Sequence, residues 1–517
     1  MIWWLFFLFF SLSAYYFHWR NRYFERLGIK SPPAFPLLGH LHEFASIPFG
    51  LKIQQWAREY GKTFGIYEGG VPVLITNDPE IVQDVFIKQY ENFHARKHFP
   101  LAKDPEIDPY ASMFTARGLR WKRIRTISNP VFKQSNLKRL CPLVETSCRY
   151  FMEIIDEQVV TGKPFNIMEN LQLFTSDVIA RVALGETKNT QRRETINPYY
   201  QLCKEFFPDK PKFASNLLHL LPMVFPEVRG PISHVFHLYS KLKGFDPWYT
   251  MERMVQNEVE KRRVDGPNEN ADFIDLYLES EGTEADLNIG LESTQSDIKQ
   301  LKIDKKLLTE EIVGQLMLFL IAGYETTANS LSYVVYHLAL NQESQEKVRD
   351  ELIHVTGGAE TIAHEMCNQM RYTEHCLKEA LRLYPLASFV QARTCMQSTV
   401  VGKENKLKVP EGLVVSVDAW TIQRDKSFWG EDADEFRPER FDEVNQSEIN
   451  NFWVPFGIGP RVCIGMRFSL LEQKILLAKL LLKYRIEPCE QTLIPLKLRG
   501  AVTACAESVW VKLVPIN

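Results

Sequence analysis

The stretch that leaves this chain the fewest options is Phe456-Gly457-Ile458-Gly459-Pro460-Arg461-Val462-Cys463-Ile464-Gly465. Three glycines and a proline surround one cysteine, and an apolar helical period (Ile464, Phe468, Leu471) starts at once. Glycine permits positive φ and close backbone approach, so the pattern predicts a tight loop presenting one sulfur just ahead of a helix N-terminus. The helix dipole and backbone N–H groups favour a thiolate there. The competing reading is a buried, inert cysteine, the common fate of a lone thiol.

Length and composition bound the rest. The 517 residues suffice for a large core. With 24% charged residues and a net charge of −3, nucleic acid is not the expected partner. Nine cysteines without a Cys-x-x-Cys pair predict a reducing compartment rather than a disulfide framework or a zinc site. Ile2 to Trp19 carries no formal charge. As a helix it spans roughly 27 Å at about 1.5 Å per residue, close to a membrane's hydrocarbon thickness. Arg20, Arg22, Arg26 and Lys30 follow it, which places the remainder of the chain on the cytosolic side. A cleaved secretory signal is the rival, with Ser11-Leu12-Ser13 as its cleavage site, but the basic leading region is missing. The expected organisation is a transmembrane signal anchor over 1–19, a basic and proline-rich hinge over 20–40, and one large catalytic domain over 41–517. That domain reads as mainly α with a small β region.

Within the domain, Leu51, Ile53, Trp56 and Tyr60 mark a helix. Residues 63–67 and 71–75 alternate as a hairpin around Glu68-Gly69-Gly70. Residues 279–297 are rich in acids, Ser and Thr, an exposed connector. Leu493 to Val514 returns to strand-like alternation. Arg117 to Arg139 holds eight bases and no acid, and Trp121 and Arg125 in it are i, i+4 on one helical face. Phe206-Phe207, Phe213 and the run Leu217 to Phe225 are apolar and interrupted by prolines, either core or a mobile cover.

Thr309-Glu310-Glu311 opens a long helix, with Thr309 as its N-cap and acids in the first turn. Inside its apolar run lies Ala322-Gly323-Tyr324-Glu325-Thr326-Thr327. Glycine, a carboxylate and two β-branched threonines are poor material for a buried helix centre, and such inconsistency marks function. Ala322 and Thr326 are i, i+4, so a small residue sits beside a hydroxyl that can replace a backbone hydrogen bond. Thr327, about 100° round the helix, is expected to matter far less. Glu379 and Arg382 are i, i+3 on a helix, and Phe436-Arg437-Pro438-Glu439-Arg440-Phe441 lies between them and the cysteine loop.

Taken together and in this order, these motifs resemble the cytochrome P450 family, and the Phe-x-x-Gly-x-Arg-x-Cys-x-Gly loop matches at every fixed position. The resemblance implies a heme b (iron protoporphyrin IX) cofactor with Cys463 as the iron's axial thiolate. It implies propionate binding by Arg96, Trp121, Arg125, Arg393 and Arg461, oxygen activation by Thr326 with Glu325 as proton relay, and a structural ion network of Glu379, Arg382 and Arg440. Phe319, Ala322, Ala387 and Thr503 are the expected substrate-lining residues. The hinge departs from the family's usual Pro-Gly-Pro, having Pro33-Ala34-Phe35-Pro36.

The wording around Cys463 is similar to that of the microsomal, drug- and steroid-oxidising enzymes. The reaction implied is insertion of one atom of O2 into a lipophilic xenobiotic, steroid or fatty-acid-like molecule. Electrons would come from NADPH through a flavoprotein NADPH-cytochrome P450 reductase, with cytochrome b5 as accessory donor, on the endoplasmic reticulum membrane. No Gly-rich dinucleotide-binding turn is evident in the chain itself, and the other bases of 117–139 would offer the reductase a positive surface. Two other classes stay open: a haem-thiolate isomerase or dehydratase needing no reductase, and a non-catalytic haem sensor. Neither has use for the Glu325-Thr326 pair.

Overall fold

A computed structural model describes residues 2–244, 246–268, 271–283, 305–403 and 406–516. Helices α1 (Ile2–Asn21) and α2 (Phe49–Tyr60) precede a hairpin of β1 (Thr63–Glu68) and β2 (Val71–Thr76). Then come α3 (Gly118–Ser128), α4 (Gln134–Val160), β3 (Phe165–Asn166), α5 (Met168–Leu184), α6 (Leu217–Val224), α7 (Thr309–Leu340) and α8 (Arg371–Leu383). Four short strands follow, β4 (Ala392–Thr394), β5 (Thr399–Val401), β6 (Leu407–Val409) and β7 (Val414–Val417). Helix α9 (Met466–Lys483) leads to β8 (Tyr484–Glu487), β9 (Leu498–Arg499), β10 (Cys505–Ala506) and β11 (Trp510–Pro515). The architecture is mainly helical with small sheets. The largest sheet runs β1-β2-β7-β4, with β2 and β7 parallel and the other pairs antiparallel.

Helix α7 is largely apolar and largely buried, as a helix through the centre of a large core must be. Ile312, Val313, Leu316, Leu331, Val334 and Val335 are all fully buried. Gly323 lets α5 approach: a Cβ there would meet Ile179 Cγ1 at 2.9 Å. Thr309 does not cap the helix. The capping residue is Leu308, whose N–H donates to Glu311 Oε2 at 3.2 Å, while the Thr309 hydroxyl donates to Glu281 Oε1 at 2.7 Å. Glu311 is buried and takes Arg120 Nε at 2.9 Å and Arg123 Nη2 at 2.7 Å, clamping α3 to the start of α7. Those two arginines therefore leave the basic surface expected of 117–139. Lys133, Lys138 and Arg139 stay exposed.

Residues 2–19 lie in a helix, and among the described residues no helix is long and apolar enough to cross a membrane. The physical reason is composition: Ser11, Ser13, Tyr15, Tyr16 and His18 dilute the second half of α1. That half docks on the domain. Tyr16 donates to Glu227 at 2.6 Å, Phe17 meets Phe225 edge-on, and buried Arg20 donates to Val224 O at 2.7 Å and Leu37 O at 3.2 Å. The connector expected over 279–297 lies outside the described residues from 284 onward.

The Glu379 carboxylate takes Arg382 Nε at 2.7 Å and Arg440 Nε at 3.1 Å, and all three side chains are fully buried. Arg382 also donates to the carbonyls of Gln423 and Ala433, and Arg440 to that of Asp432, so the charges are hydrogen-bonded as well as paired. Removing one partner of a buried pair strands the other charge. Glu379→Ala is expected to cost about 3–5 kcal/mol of unfolding free energy in a denaturant titration. An unchanged midpoint would show that the network does not hold the fold.

Candidate active site

The loop expected around Cys463 is a short 3-10 turn (Gly459–Arg461) running into α9. Gly459 has φ +71°, and a Cβ on it would lie 1.9 Å from Phe86 O, so no other residue fits. Cys463 opens on an internal cavity of about 1220 Å³, with Trp121, Arg125, Phe319, Thr326 and Arg461 among its walls. Its surface is cavity surface, deep within the molecule. Burial pushes the thiol up, while the N–H groups of Gly465 and Met466 and the charges of Arg125 and Arg96 pull it down.

Arg96, Arg125, Arg393 and Arg461 all line this cavity, from four separate parts of the chain. Each finds only weak company. Arg96 donates to Val390 O at 2.8 Å and lies over Phe114; Arg393 donates to Ala392 O at 2.9 Å and lies over Phe86. Arg461 donates to Ala116 O and stacks on Trp121, and Arg125 has only Met113 Sδ at 3.9 Å. Among the described residues the Nε atoms of Arg96, Arg393 and Arg461 have no hydrogen-bond partner, nor has His94 Nε2, while the Tyr90 hydroxyl stands against Arg461. Burial and mutual repulsion pull Arg393 well below its usual range and Arg96 to about 9, and burial pulls Arg461 to about 10. Buried cations without an anion are costly, so the cluster suits a group bringing its own carboxylates. A haem, planar and apolar with two propionates, fits that donor set, with Cys463 supplying the thiolate. Tyr90 and His94 escaped the sequence reading because neither stands in a recognisable spacing.

On α7, Thr326 donates to Ala322 O at 2.6 Å, and both residues line the cavity together with Phe319, Ala387 and Thr503. Glu325 itself is buried off the wall. Its carboxylate accepts from the Thr503 hydroxyl, which does reach the cavity. Thr327, about 100° round the helix, also lines the cavity, and its Oγ1 lies 3.1 Å from Ser469 Oγ of α9. Of the apolar run before α7, Phe206, Phe207, Leu218 and His219 wall the cavity, whereas Phe213 packs on a separate cluster.

Burial pushes the Glu325 carboxyl up to about 8, against a weaker downward pull from Thr503. The folded protein therefore keeps a proton that the unfolded chain releases. This contribution is full below the ordinary value of 4.5 and is lost as pH rises toward about 8, at about 1.4 kcal/mol per pH unit. Glu325→Gln is expected to remove that slope when denaturant midpoints are compared across the window. Parallel curves for parent and variant would show an ionised Glu325.

Comparisons with known proteins agree with this site. The family model described as Cytochrome P450 matches residues 29–508. The Caenorhabditis elegans protein named as cytochrome P450 CYP13A5 is 38% identical over 522 residues, covering 98% of this chain and 97% of the relative. CYP13A1 of the same organism is 37% identical, covering 99% of each. A match over nearly the whole length, on a fold that gathers four unpaired arginines and one thiol round an internal cavity, leads to one conclusion: this chain belongs to the cytochrome P450 family, a monooxygenase oxidoreductase whose cofactor is haem iron.

Proposed function

We propose that this protein is a membrane-anchored haem-thiolate monooxygenase that inserts one atom of O2 into a lipophilic small molecule of xenobiotic, steroid or fatty-acid-like character. Its electrons come from NADPH through a separate flavoprotein reductase, with cytochrome b5 as an accessory donor. The observation that carries this reading is the cavity itself, a large chamber walled by Phe99, Phe206, Phe319, Leu386 and other carbon side chains, with a single thiol and unpaired arginines on its wall. Such a wall selects for size and apolar character.

Cys463 would ligate the iron; burial raises its thiol, and the Gly465 and Met466 N–H groups with Arg125 and Arg96 offset part of that. Arg96, Trp121, Arg125, Arg393 and Arg461 hold the propionates. Bound haem, with a thiolate ligand, supplies the redox and oxygen-activating chemistry. The chain supplies position and protons. Thr326, its O–H committed to Ala322 O, presents oxygen lone pairs that accept a hydrogen bond from water in the cavity. Glu325 holds a proton near neutral pH and passes it by way of the Thr503 hydroxyl, the group that touches the wall.

The reduced protein with carbon monoxide is expected to show the red-shifted Soret band of thiolate-ligated haem, and Cys463→Ala to abolish it. Loss of the band on replacing one of the other eight cysteines instead would overturn the assignment.

The anchor is proposed to be α1, on the endoplasmic reticulum with the catalytic domain facing the cytosol. Support comes from the uncharged run Ile2–Trp19, the bases after it, and the exposed Trp3, Trp4, Phe7 and Leu8. Asn445-Gln446-Ser447 is a glycosylation sequon on the domain surface. In intact microsomes Asn445 is expected to carry no glycan and the domain to be open to added protease. A mass shift on glycosidase treatment would reverse the orientation.

A further inference from the structure

Beside the chamber that Cys463 opens on lies a second pocket of about 310 Å³, at the small end of ligand-binding cavities. Gly70 of the β1–β2 turn and Met223 of α6 both line it, joined where Met223 O accepts the Gly70 N–H at 2.7 Å. Much of the remaining wall is carbon, from Val71, Pro222, Pro226, Phe389 and Val414. Among the described residues only Phe99 and Pro100 belong to the walls of both cavities. The Phe99 ring meets Phe114, on the wall of the main chamber, at 5.9 Å, and Phe389, on the wall of the pocket, at 6.4 Å between centroids. One aromatic side chain and its proline neighbour thus form the partition.

The pocket's charged groups have unequal partners. Lys97 Nζ lies 2.8 Å from each Glu68 carboxylate oxygen and 3.9 Å from the Phe389 ring centroid, so that pair neutralises itself. His98 is pulled down to about 4 by burial and by the charges of Arg117 and Arg229, and is neutral near pH 7. Arg229 opens the helix Arg229–Lys243, lines the pocket and is half-buried. Among the described residues no hydrogen bond or ion pair meets its guanidinium. The charges that face it are Arg117, which repels it, and Asp104, which attracts it from beyond ion-pair distance. With Lys97 and Glu68 cancelling, two guanidinium groups face one carboxylate, an excess of one positive charge. A cation taken partly out of water gains from an anion. A planar guanidinium matches a planar carboxylate in a bidentate pair. One excess charge suits a carboxylate and falls short of a phosphate dianion.

We propose that this pocket is a head-group site: Arg229 binds the carboxylate of a fatty-acid-like substrate, whose hydrocarbon part runs past Phe99 into the main chamber. The inference rests on the monooxygenase reading above and narrows its substrate to apolar carboxylic acids. Cys463 lines the main chamber and not the pocket, so the carboxyl end is kept away from the thiol and the apolar end is offered to it. Arg229 stands apart from the four arginines of the main chamber and has no part in holding haem or moving protons. It is a specificity residue.

The full-length, haem-loaded protein is titrated at neutral pH with dodecanoic acid and with its methyl ester, and dissociation constants are read from the ligand-induced shift of the Soret band. The acid is expected to bind about ten-fold more tightly than the ester, the scale of hydrogen bonds to a charged group. Arg229→Gln should remove that advantage and leave the ester's constant in place. Arg229→Lys should keep most of the advantage, and Arg229→Glu should reverse it. A crystal structure with dodecanoate is expected to place its carboxylate within hydrogen-bond distance of Arg229, a readout that needs no variant. Equal constants for acid and ester in the parent, an acid preference that survives Arg229→Gln, or a carboxylate seated against the main-chamber arginines would overturn the proposal. The reduced carbon monoxide band is recorded throughout. With that band intact, those outcomes sink the head-group site alone, whereas its absence from the parent would sink the haem-thiolate reading.

Discussion

Four guanidinium groups share the inside of this protein with no carboxylate among the described residues to meet them, and much of the architecture follows from tolerating that. Arg393 comes from β4 at the edge of the mixed sheet, Arg96 from the segment bridged to that strand through Ala95, Arg125 from α3 and Arg461 from the cysteine loop. Holding them together requires rigid supports: stacking on Phe114, Phe86 and Trp121, and backbone carbonyls that each take one N–H. These contacts offset part of the desolvation and leave the Nε donors idle. A buried charge with idle donors is a binding site held in readiness, and the bound group's carboxylates complete what the fold leaves undone.

The contrast with Glu379, Arg382 and Arg440 is instructive. Those groups are equally buried, yet their donors are met by a carboxylate and by carbonyls from the segment 423–435. Satisfied, the triad fastens α8 to the segment leading into the cysteine loop. One set of buried arginines is thus satisfied and the other is not, and what separates them is whether an anion is already present. Burial alone does not tell them apart.

The features legible in the sequence were those written in local spacing. Cys463 with its glycines, Ala322 to Thr327, and Trp121 with Arg125 each declare themselves within a few positions, because one loop or helix face sets the geometry. What stayed hidden depends on pairs distant along the chain. Thr327 meets Ser469 across 142 positions and Glu311 meets Arg123 across 188, so a basic run reads as surface until its partner is placed. Helix α1 shows the opposite limit. Its lack of charge is plain, yet how much of it leans on the domain is set by Glu227, Phe225 and Val224, some two hundred residues away.

That leaning has a mechanical meaning. At its C-terminal end α6 is tied twice: Met223 O accepts the Gly70 N–H from the β1–β2 turn at 2.7 Å, and Val224 O accepts Arg20 from α1. Its other end carries the exposed Leu217 and Leu218, with Leu218 and His219 bordering the cavity. Met223 and Val224 thus tie both α1 and the β1–β2 turn to the helix whose Leu218 and His219 wall the cavity, so the N-terminal helix and the cavity wall share one joint.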